Sequence, residues 1–137
     1  MQAPILRGVM VAAMALWAGS ALAQESTNRV DANTDWSVFE EADPKQCWAV
    51  SSPKETVNTR DGRVVAVRRG DILMFVSYLP SQGVNGQVSF TGGYPFRDGS
   101  TVTLEISGQT FDLFTSGEMA WARDAEADAA IVAAMKQ

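Results

Sequence analysis

Short runs of β-forming residues, separated by turn residues at close spacing, constrain the fold of this chain more than any other feature. Seven such runs follow residue 35, and each is four to eight residues long. Many short strands at this spacing are typical of sandwiches and barrels. We therefore predict a mainly β fold, an antiparallel β-sandwich or flattened barrel with one C-terminal α-helix. The predicted strands are residues 36–39, 47–50, 64–68, 72–79, 87–90, 101–106 and 109–114.

The two runs around Ser107-Gly108 also predict a register. A two-residue turn at these positions joins the runs into a hairpin with one apolar face and one mostly polar face. The apolar face pairs Ile106 with Gln109, Leu104 with Phe111 and Val102 with Leu113. The polar face pairs Glu105 with Thr110, Thr103 with Asp112 and Thr101 with Phe114.

Two further segments have a predicted place in the core. Residues 72–76 are apolar throughout, which predicts the middle strand of the sheet with both faces covered. Asp124 is predicted to be the N-cap of a C-terminal helix, which has acidic residues in its first turns and Lys136 at its end. A helix of about 12 residues is marginal alone, so it must pack on the sheet. The packing residues are expected to be Ile131, Val132 and Met135.

The first 23 residues have the pattern of a secretory signal peptide. Arg7 supplies the positive charge, residues 8–17 form an apolar stretch too short to span a membrane, and residues 21–23 are Ala-Leu-Ala. We predict cleavage between Ala23 and Gln24 and a periplasmic or secreted protein. No later apolar run predicts a transmembrane segment. Residues 24–34 are predicted to be a flexible mature N-terminus, and residues 35–137 a single β-rich domain.

Composition excludes several classes of function. The chain has 11 basic and 16 acidic residues, a net charge of −5, and loss of Arg7 with the leader makes it −6, which argues against nucleic acid binding. The absence of histidine excludes a serine or cysteine nucleophile activated by histidine. Glu40, Glu41 and Asp43 lack the spacing of a calcium loop. We predict no catalytic residues, no metal and no cofactor, and a carboxylate-dependent hydrolase is the less favoured alternative.

Cys47 is the only cysteine of the chain. An unpaired thiol is unusual in an oxidising compartment, which indicates an intermolecular bond or a missing partner. A buried, inert free thiol is the other interpretation, and the sequence leaves the two open.

Four arginines, Arg60, Arg63, Arg68 and Arg69, fall within ten residues and form a candidate patch for an anion or a partner. A solvated hairpin end is the favoured alternative, because charged residues crowd strand ends for solubility. Residues 69–71 also spell the adhesion motif Arg-Gly-Asp, which a tight turn between two strands explains more simply.

Aromatic residues are a second candidate surface, for glycan or peptide binding. Aromatic side chains are preferred anchors at binding sites, but core packing is the favoured interpretation because large aromatics are mostly buried. The residues concerned are Trp36, Trp48, Tyr94, Phe96 and Trp121.

Several motifs together resemble the invasion-associated locus B family, small exported proteins of alphaproteobacteria. The resemblance covers nearly the whole mature domain, and none of its motifs is catalytic. They are residues 35–38 (DWSV), 47–48 (CW), 54–62 (KETVNTRDG), 68–71 (RRGD), 92–96 (GGYPF), 111–114 (FDLF) and 120–121 (AW).

The chain departs from this family pattern at two places. Many members carry a cysteine where Glu40 and Glu41 stand here, and the closer relatives continue after the helix with further strands and a terminal cysteine. The resemblance therefore implies a C-terminally truncated chain in which Cys47 has lost its partner. We expect an exported, non-enzymatic interaction protein with a protein or cell-envelope partner. A glycan- or peptide-binding module is the alternative.

Overall fold

The computed structural model describes residues 28–137 as one eight-stranded antiparallel sheet, a separate two-stranded hairpin, one α-helix and a short 3-10 helix at Pro80–Gln82. The predicted signal peptide lies outside the described residues. The sheet order is β1-β2-β3-β6-β7-β10-β9-β8, and β4 pairs only with β5. The strands are β1 Arg29–Asn33, β2 Trp36–Ala42, β3 Lys45–Ser51, β4 Thr59–Arg60, β5 Arg63–Val64, β6 Leu73–Leu79, β7 Val84–Thr91, β8 Thr101–Ile106, β9 Gln109–Ser116 and β10 Met119–Trp121, and the helix is α1 Ala125–Met135.

This architecture confirms the predicted mainly antiparallel β fold with one C-terminal helix. Among the described strands β1 and β8 remain at the two edges, so the sheet does not close into a barrel. The sheet instead folds over its apolar face. Trp36 on β2 and Leu104 on β8 line one groove although five strands separate β2 from β8. The result is a sandwich-like curl around one core.

The core lies between the concave face of the sheet and α1. Val88, Leu113 and Ile131 are its largest fully buried side chains, and Ala120 and Val76 complete the layer. Alternation along each strand sends these side chains to the same face. Apolar residues at every second position of the strands therefore determine which face α1 covers.

The predicted β8–β9 hairpin is confirmed at all six residue pairs. Ser107 and Gly108 both have positive φ angles, 49° and 79°, as a two-residue turn of this type requires. Leu113 is 1% exposed, whereas its neighbour Phe114 is 51% exposed. The turn and the alternation together set the register, since a slip of one residue would exchange these two side chains.

The predicted central strand is confirmed in position, because β6 is fourth of the eight strands. Its coverage is less complete than predicted. Val76 is buried on the concave face, but Phe75 on the opposite face is only partly buried. The reason is that α1 packs on one side of the sheet only.

The C-terminal helix begins as predicted. The Asp124 side chain accepts a hydrogen bond from the Ala127 backbone N–H at 2.8 Å, and Lys136 is the C-cap. Ile131 is 1% exposed and lies in the core, with Val132 and Met135 packed against it. Asp128 also accepts a hydrogen bond from the Val88 N–H at 2.9 Å. The helix is therefore tied to β7 by a polar contact as well as by apolar packing.

Three parts of the strand prediction were wrong. The sheet begins at Arg29, before the predicted start near Asp35, because β1 is an edge strand whose five residues are all exposed and show no apolar alternation. The three-residue strand β10 was not predicted, since it is too short for a pattern. The run at residues 64–68 contributes only β5, which pairs outside the main sheet.

Candidate functional site

The face of the sheet opposite α1 carries a row of apolar side chains. Strand pairing fixes this set, because side chains of paired residues share a face. Val50, Phe75, Ser89, Trp121 and Phe114 are successive partners across β3, β6, β7, β10 and β9. Phe39 on β2 pairs with Trp48 on β3 on the same side. We call this set the aromatic face: Phe39, Trp48, Val50, Phe75, Phe114 and Trp121.

The aromatic face contains one stacked ring pair and is partly open. The rings of Phe39 and Trp48 stack at 5.7 Å between centroids and 12° between planes. Ser89 is 5% exposed because the larger side chains of Phe75 and Trp121 stand on either side of it. None of the six residues of the aromatic face is fully buried. Phe114 is 51% exposed and the other five are partly exposed, so the described part of the chain covers this apolar face only in part.

The predicted aromatic set divides between the core and the surface. Trp36 and Phe96 pack against the core, as the core-packing interpretation expected. That interpretation was wrong for Trp48 and Trp121, which lie on the aromatic face, and for Tyr94, which is 42% exposed. Trp48 and Trp121 are three strands apart, roughly 14 Å at a strand spacing of about 4.8 Å. They do not form one contiguous pair.

A groove of about 540 Å³ adjoins the aromatic face where β10 ends. Strand β10 pairs with only three residues of β7, so the first half of β7 has no strand partner on that side. Helix α1 begins beside this free edge. Trp121 and Phe114 form the apolar wall of the groove, and its polar wall includes Asn85, Gln87, Ser116, Arg123, Asp124 and Asp128.

The two acidic residues of this groove are already engaged. Asp128 accepts from the Val88 N–H, and Asp124 accepts from Ala127 and pairs with Arg123 at 3.1 Å. The backbone N–H of Ala127, and then Arg123, holds the pKa of Asp124 below its usual value. An acid that is ionised at neutral pH is unsuited to act as a general acid. Asp124 is therefore unsuited to act as a general acid in this groove.

The predicted arginine patch lies on a projection that we call the arm, residues 52–71 between β3 and β6. Its tip is the β4–β5 hairpin, in which Arg60 pairs with Arg63 across a turn formed by Asp61 and Gly62. Arg68 is also exposed. Three of the four predicted arginines are thus brought to the surface of one small element.

Arg69 has a different role from its neighbours. Its Nε donates to the Gly92 carbonyl at 2.9 Å, its Nη1 donates to Asn58 Oδ1 at 2.6 Å, and its guanidinium lies 4.6 Å from the centre of the Tyr94 ring. It therefore clamps the arm to the end of β7. The predicted tight turn at residues 69–71 was wrong, because Gly70 crosses Gly93 in close contact instead.

Cys47 is a free thiol within the described residues, and it is partly buried on the concave side of β3 between Glu40 and Tyr78. The thiol is therefore not fully buried, as one interpretation expected, and it forms no disulfide within the described residues.

Over residues 28–137 no group of three potential ligands is placed to hold a metal ion. No helix in this range has the length and apolarity to cross a membrane.

Some surface residues were not predicted from the sequence. Phe39 and Phe75 belong to no distinguishing motif. One signal in the sequence could have revealed an apolar outer face: β2 and β6 carry apolar residues on both of their faces. Asn58 and Gly93 could not be found from local sequence, because their partners Arg69 and Gly70 are 11 and 23 residues away.

In comparisons with known proteins, no family model, curated protein or solved structure matches this chain.

Proposed function

We propose that this chain is an exported, non-enzymatic interaction protein that binds its partner through the aromatic face. The observation that carries the proposal is a row of partly exposed apolar side chains on the outside of the sheet. Contiguous exposed apolar surface is costly in a soluble monomer and marks interaction sites. Large aromatics such as Trp48 and Trp121 are preferred anchors at such sites.

The surroundings of the aromatic face also fit an interface. Arg29 pairs with Phe39, while Glu105 and Asp112 lie on the same side of β8 and β9. All three are exposed. A polar rim around an apolar centre is the usual arrangement of protein interfaces, and it confers specificity on contacts whose energy comes from the centre. The partner we propose is a protein or another component of the cell envelope.

Export is part of the same proposal and rests on the leader pattern of residues 1–23. The resemblance to the invasion-associated locus B family supports it, since that family consists of exported proteins. Mass spectrometry of the protein recovered from the periplasm or medium tests this directly. We expect a chain that starts at Gln24, and a chain that retains residues 1–23 in the cytosol would contradict export.

Binding through the aromatic face can be tested with labelled chain starting at Gln24 and isolated cell envelopes at about 1 M salt, which screens attraction between charges and leaves apolar contacts in place. We expect Phe114→Ser and Trp48→Ser to weaken saturable binding at least about tenfold, because anchors at interface centres carry most of the binding energy. Val30→Ser is the matched control, since Val30 is a 60% exposed apolar residue of the edge strand β1 and is not one of the six defining residues. Circular dichroism checks the fold, and unchanged binding by both folded aromatic variants would refute the proposal.

A glycan-binding module is the second candidate, favoured by the groove beside Trp121. Amides, a hydroxyl and charged groups next to an aromatic wall can hydrogen-bond sugar hydroxyls while a sugar ring packs on the indole. Titration with envelope oligosaccharides is the test. Gln87→Leu should abolish binding if the groove is the site, whereas Gln109→Leu on the exposed hairpin turn should not. Equal affinity of Gln87→Leu and wild type would eliminate this candidate.

A further inference from the structure

Charge is distributed very unevenly over the described residues. The arm has five basic and three acidic side chains, a net charge of +2 in 20 residues. The other described residues carry five basic and twelve acidic side chains, a net charge of −7. The molecule therefore has a cationic projection on an acidic body, and such a dipole orients it in the field of a charged surface.

The exposed arginines of the arm are available for a partner. Lys54 pairs with Asp35 at 3.0 Å, and Arg69 is used in the clamp. Within residues 28–137, Arg60, Arg63 and Arg68 make no ion pair, and Arg60 and Arg63 lie directly opposite each other on the hairpin. Like charges at opposed positions are destabilising for a hairpin, so its own stability does not explain them.

The arm also exposes apolar side chains. Val57 and Val64 are 69% and 77% exposed, and Val67 is 45% exposed. The Thr59–Val64 pair and the hydrogen bond from the Val65 N–H to the Asn58 carbonyl place Val57 and Val64 on one face of the hairpin. The arginine pair lies on the other face, which also carries Asn58, the residue bound by the clamp. The valine face is therefore free.

The base of the arm is held in place. Gly70 donates its N–H to the Gly93 carbonyl at 2.7 Å, and a Cβ on Gly93 would overlap the Gly70 backbone. Arg69 adds the contacts to Gly92, Asn58 and Tyr94 described above. A hairpin that contributes no residue to the core is thus anchored by backbone and side-chain contacts. This anchoring leaves the valine face pointing away from the clamp, while Arg60 and Arg63 lie exposed at the tip of the hairpin.

We propose that the arm docks the molecule on an anionic lipid surface. Valine side chains enter the apolar boundary of the headgroup layer, and the long arginine side chains at the hairpin tip and edge extend from the arm to bind headgroup phosphates. A stable protein interface needs roughly 800 Å² of well-matched surface per partner. A lipid surface needs no such area or shape match, and the acidic body turns away from it.

Each arginine near such a surface is expected to contribute roughly fivefold in affinity. The test is co-sedimentation of the chain from Gln24 with vesicles of phosphatidylcholine containing about one third phosphatidylglycerol. This chain includes every described residue and lacks the apolar stretch of residues 8–17, which would itself enter lipid. We expect binding to these vesicles at low salt that is lost at about 1 M salt, where the Debye length is about 3 Å.

The arm variant changes three arginines to glutamine, Arg60, Arg63 and Arg68. It should lose at least about tenfold in affinity for the vesicles. The control variant changes Arg29, Arg97 and Lys136, which are exposed elsewhere, and removes the same net charge. It should lose less than about threefold. A loss equal to that of the arm variant would show attraction by net charge alone and overturn the proposal.

Asp61→Asn is a second variant, and it is expected to strengthen binding, so a partly unfolded protein could not produce the expected result. It removes a negative charge at the hairpin tip, keeps a residue suited to the positive φ of 53°, and should tighten vesicle binding several-fold. Unchanged or weaker binding of this variant contradicts the proposal. Tight binding of soluble glycerol phosphate in the absence of vesicles would also contradict the proposal, because it indicates a site for a free anion. Formation of a dimer through the arm, without lipid binding, would contradict it as well.

The aromatic-face variants separate this inference from the proposed function. Phe114→Ser and Trp48→Ser should bind the vesicles like wild type, because neither residue lies on the arm. If they lose vesicle binding while the arm variant keeps it, the lipid contact belongs to the aromatic face and the arm proposal fails.

Discussion

Gly70 and Gly93 show how residues without side chains decide the position of a whole projection. The two backbones touch, and Gly93 has a φ of 76° that other residues adopt only with strain. Asp124 acts in a similarly local way, since its carboxylate satisfies the Ala127 N–H at the start of α1. At the residue scale, one capping hydrogen bond determines where α1 begins, and one close backbone contact determines where the arm meets the sheet.

Gly93→Ala should be clearly more destabilising than Gly99→Ala, although the two glycines have nearly equal φ angles of 76° and 72°. A Cβ at Gly99 meets open space, so only strain of about 1–2 kcal/mol is expected there. At Gly93 the overlap with Gly70 adds about 1–3 kcal/mol. Urea denaturation measures both, and equal losses would show that the crossing is not tight in solution.

The cap of α1 should make stability depend on pH in the acid range. The pKa of Asp124 is lowered in the folded chain, so its contribution is fully present above the unfolded value of 3.8 and is lost as pH falls through the lower folded value. Asp124→Asn keeps a capping oxygen but cannot titrate. The urea midpoint of this variant should fall less between about pH 4 and pH 2 than that of wild type, and parallel curves would contradict the linkage.

At the scale of elements, the hairpin of β8 and β9 was predictable and the arm was not. Both the turn at Ser107-Gly108 and the alternation of Val102, Leu104 and Ile106 are local signals, and they act together. The run at residues 64–68 carries a strand signal of similar strength, yet most of it pairs with no strand. Clamping by Arg69, which is outside that run, directs this segment away from the sheet.

Strand β9 offers a direct test of the register. Leu113→Ala should cost about 2–5 kcal/mol, because the side chain is 1% exposed in the core. Phe114→Ala removes a larger side chain but should cost less than about 1 kcal/mol, since it lies half-exposed on the aromatic face. Thermal or urea unfolding of the pair is decisive, and the reverse order would mean that the strand is shifted by one residue.

At the scale of the whole molecule, one core unites the helix with six of the eight strands of the sheet, β2 and β6 to β10. Residues far apart in the chain, Val76, Leu113 and Ile131, belong to the same cluster. The residues of the arm and of the aromatic face are not members of this core, so the side chains that we propose for binding differ from those that form the core. This separation explains why surface variants can be used to test function without unfolding the protein.

We therefore expect a single cooperative unfolding transition. Tryptophan fluorescence reports on Trp36 near the core and on Trp48 and Trp121 outside it, while far-ultraviolet circular dichroism reports on the sheet and helix. The urea midpoints from the two signals should coincide, as for a two-state domain. Distinct midpoints would show that the outer face and the core unfold separately.

The sequence by itself determined the β class, the β8–β9 register, the C-terminal helix and its cap, and the cluster of arginines. These depend on alternation, turn chemistry and capping, which act between residues close in the chain. Only the tertiary structure decided that Trp48 and Trp121 share an outer face, that Arg69 is a clamp while Arg60 and Arg63 are free, and that β1 joins the sheet. These depend on which strands become neighbours and on which single face α1 covers, and no local pattern encodes either.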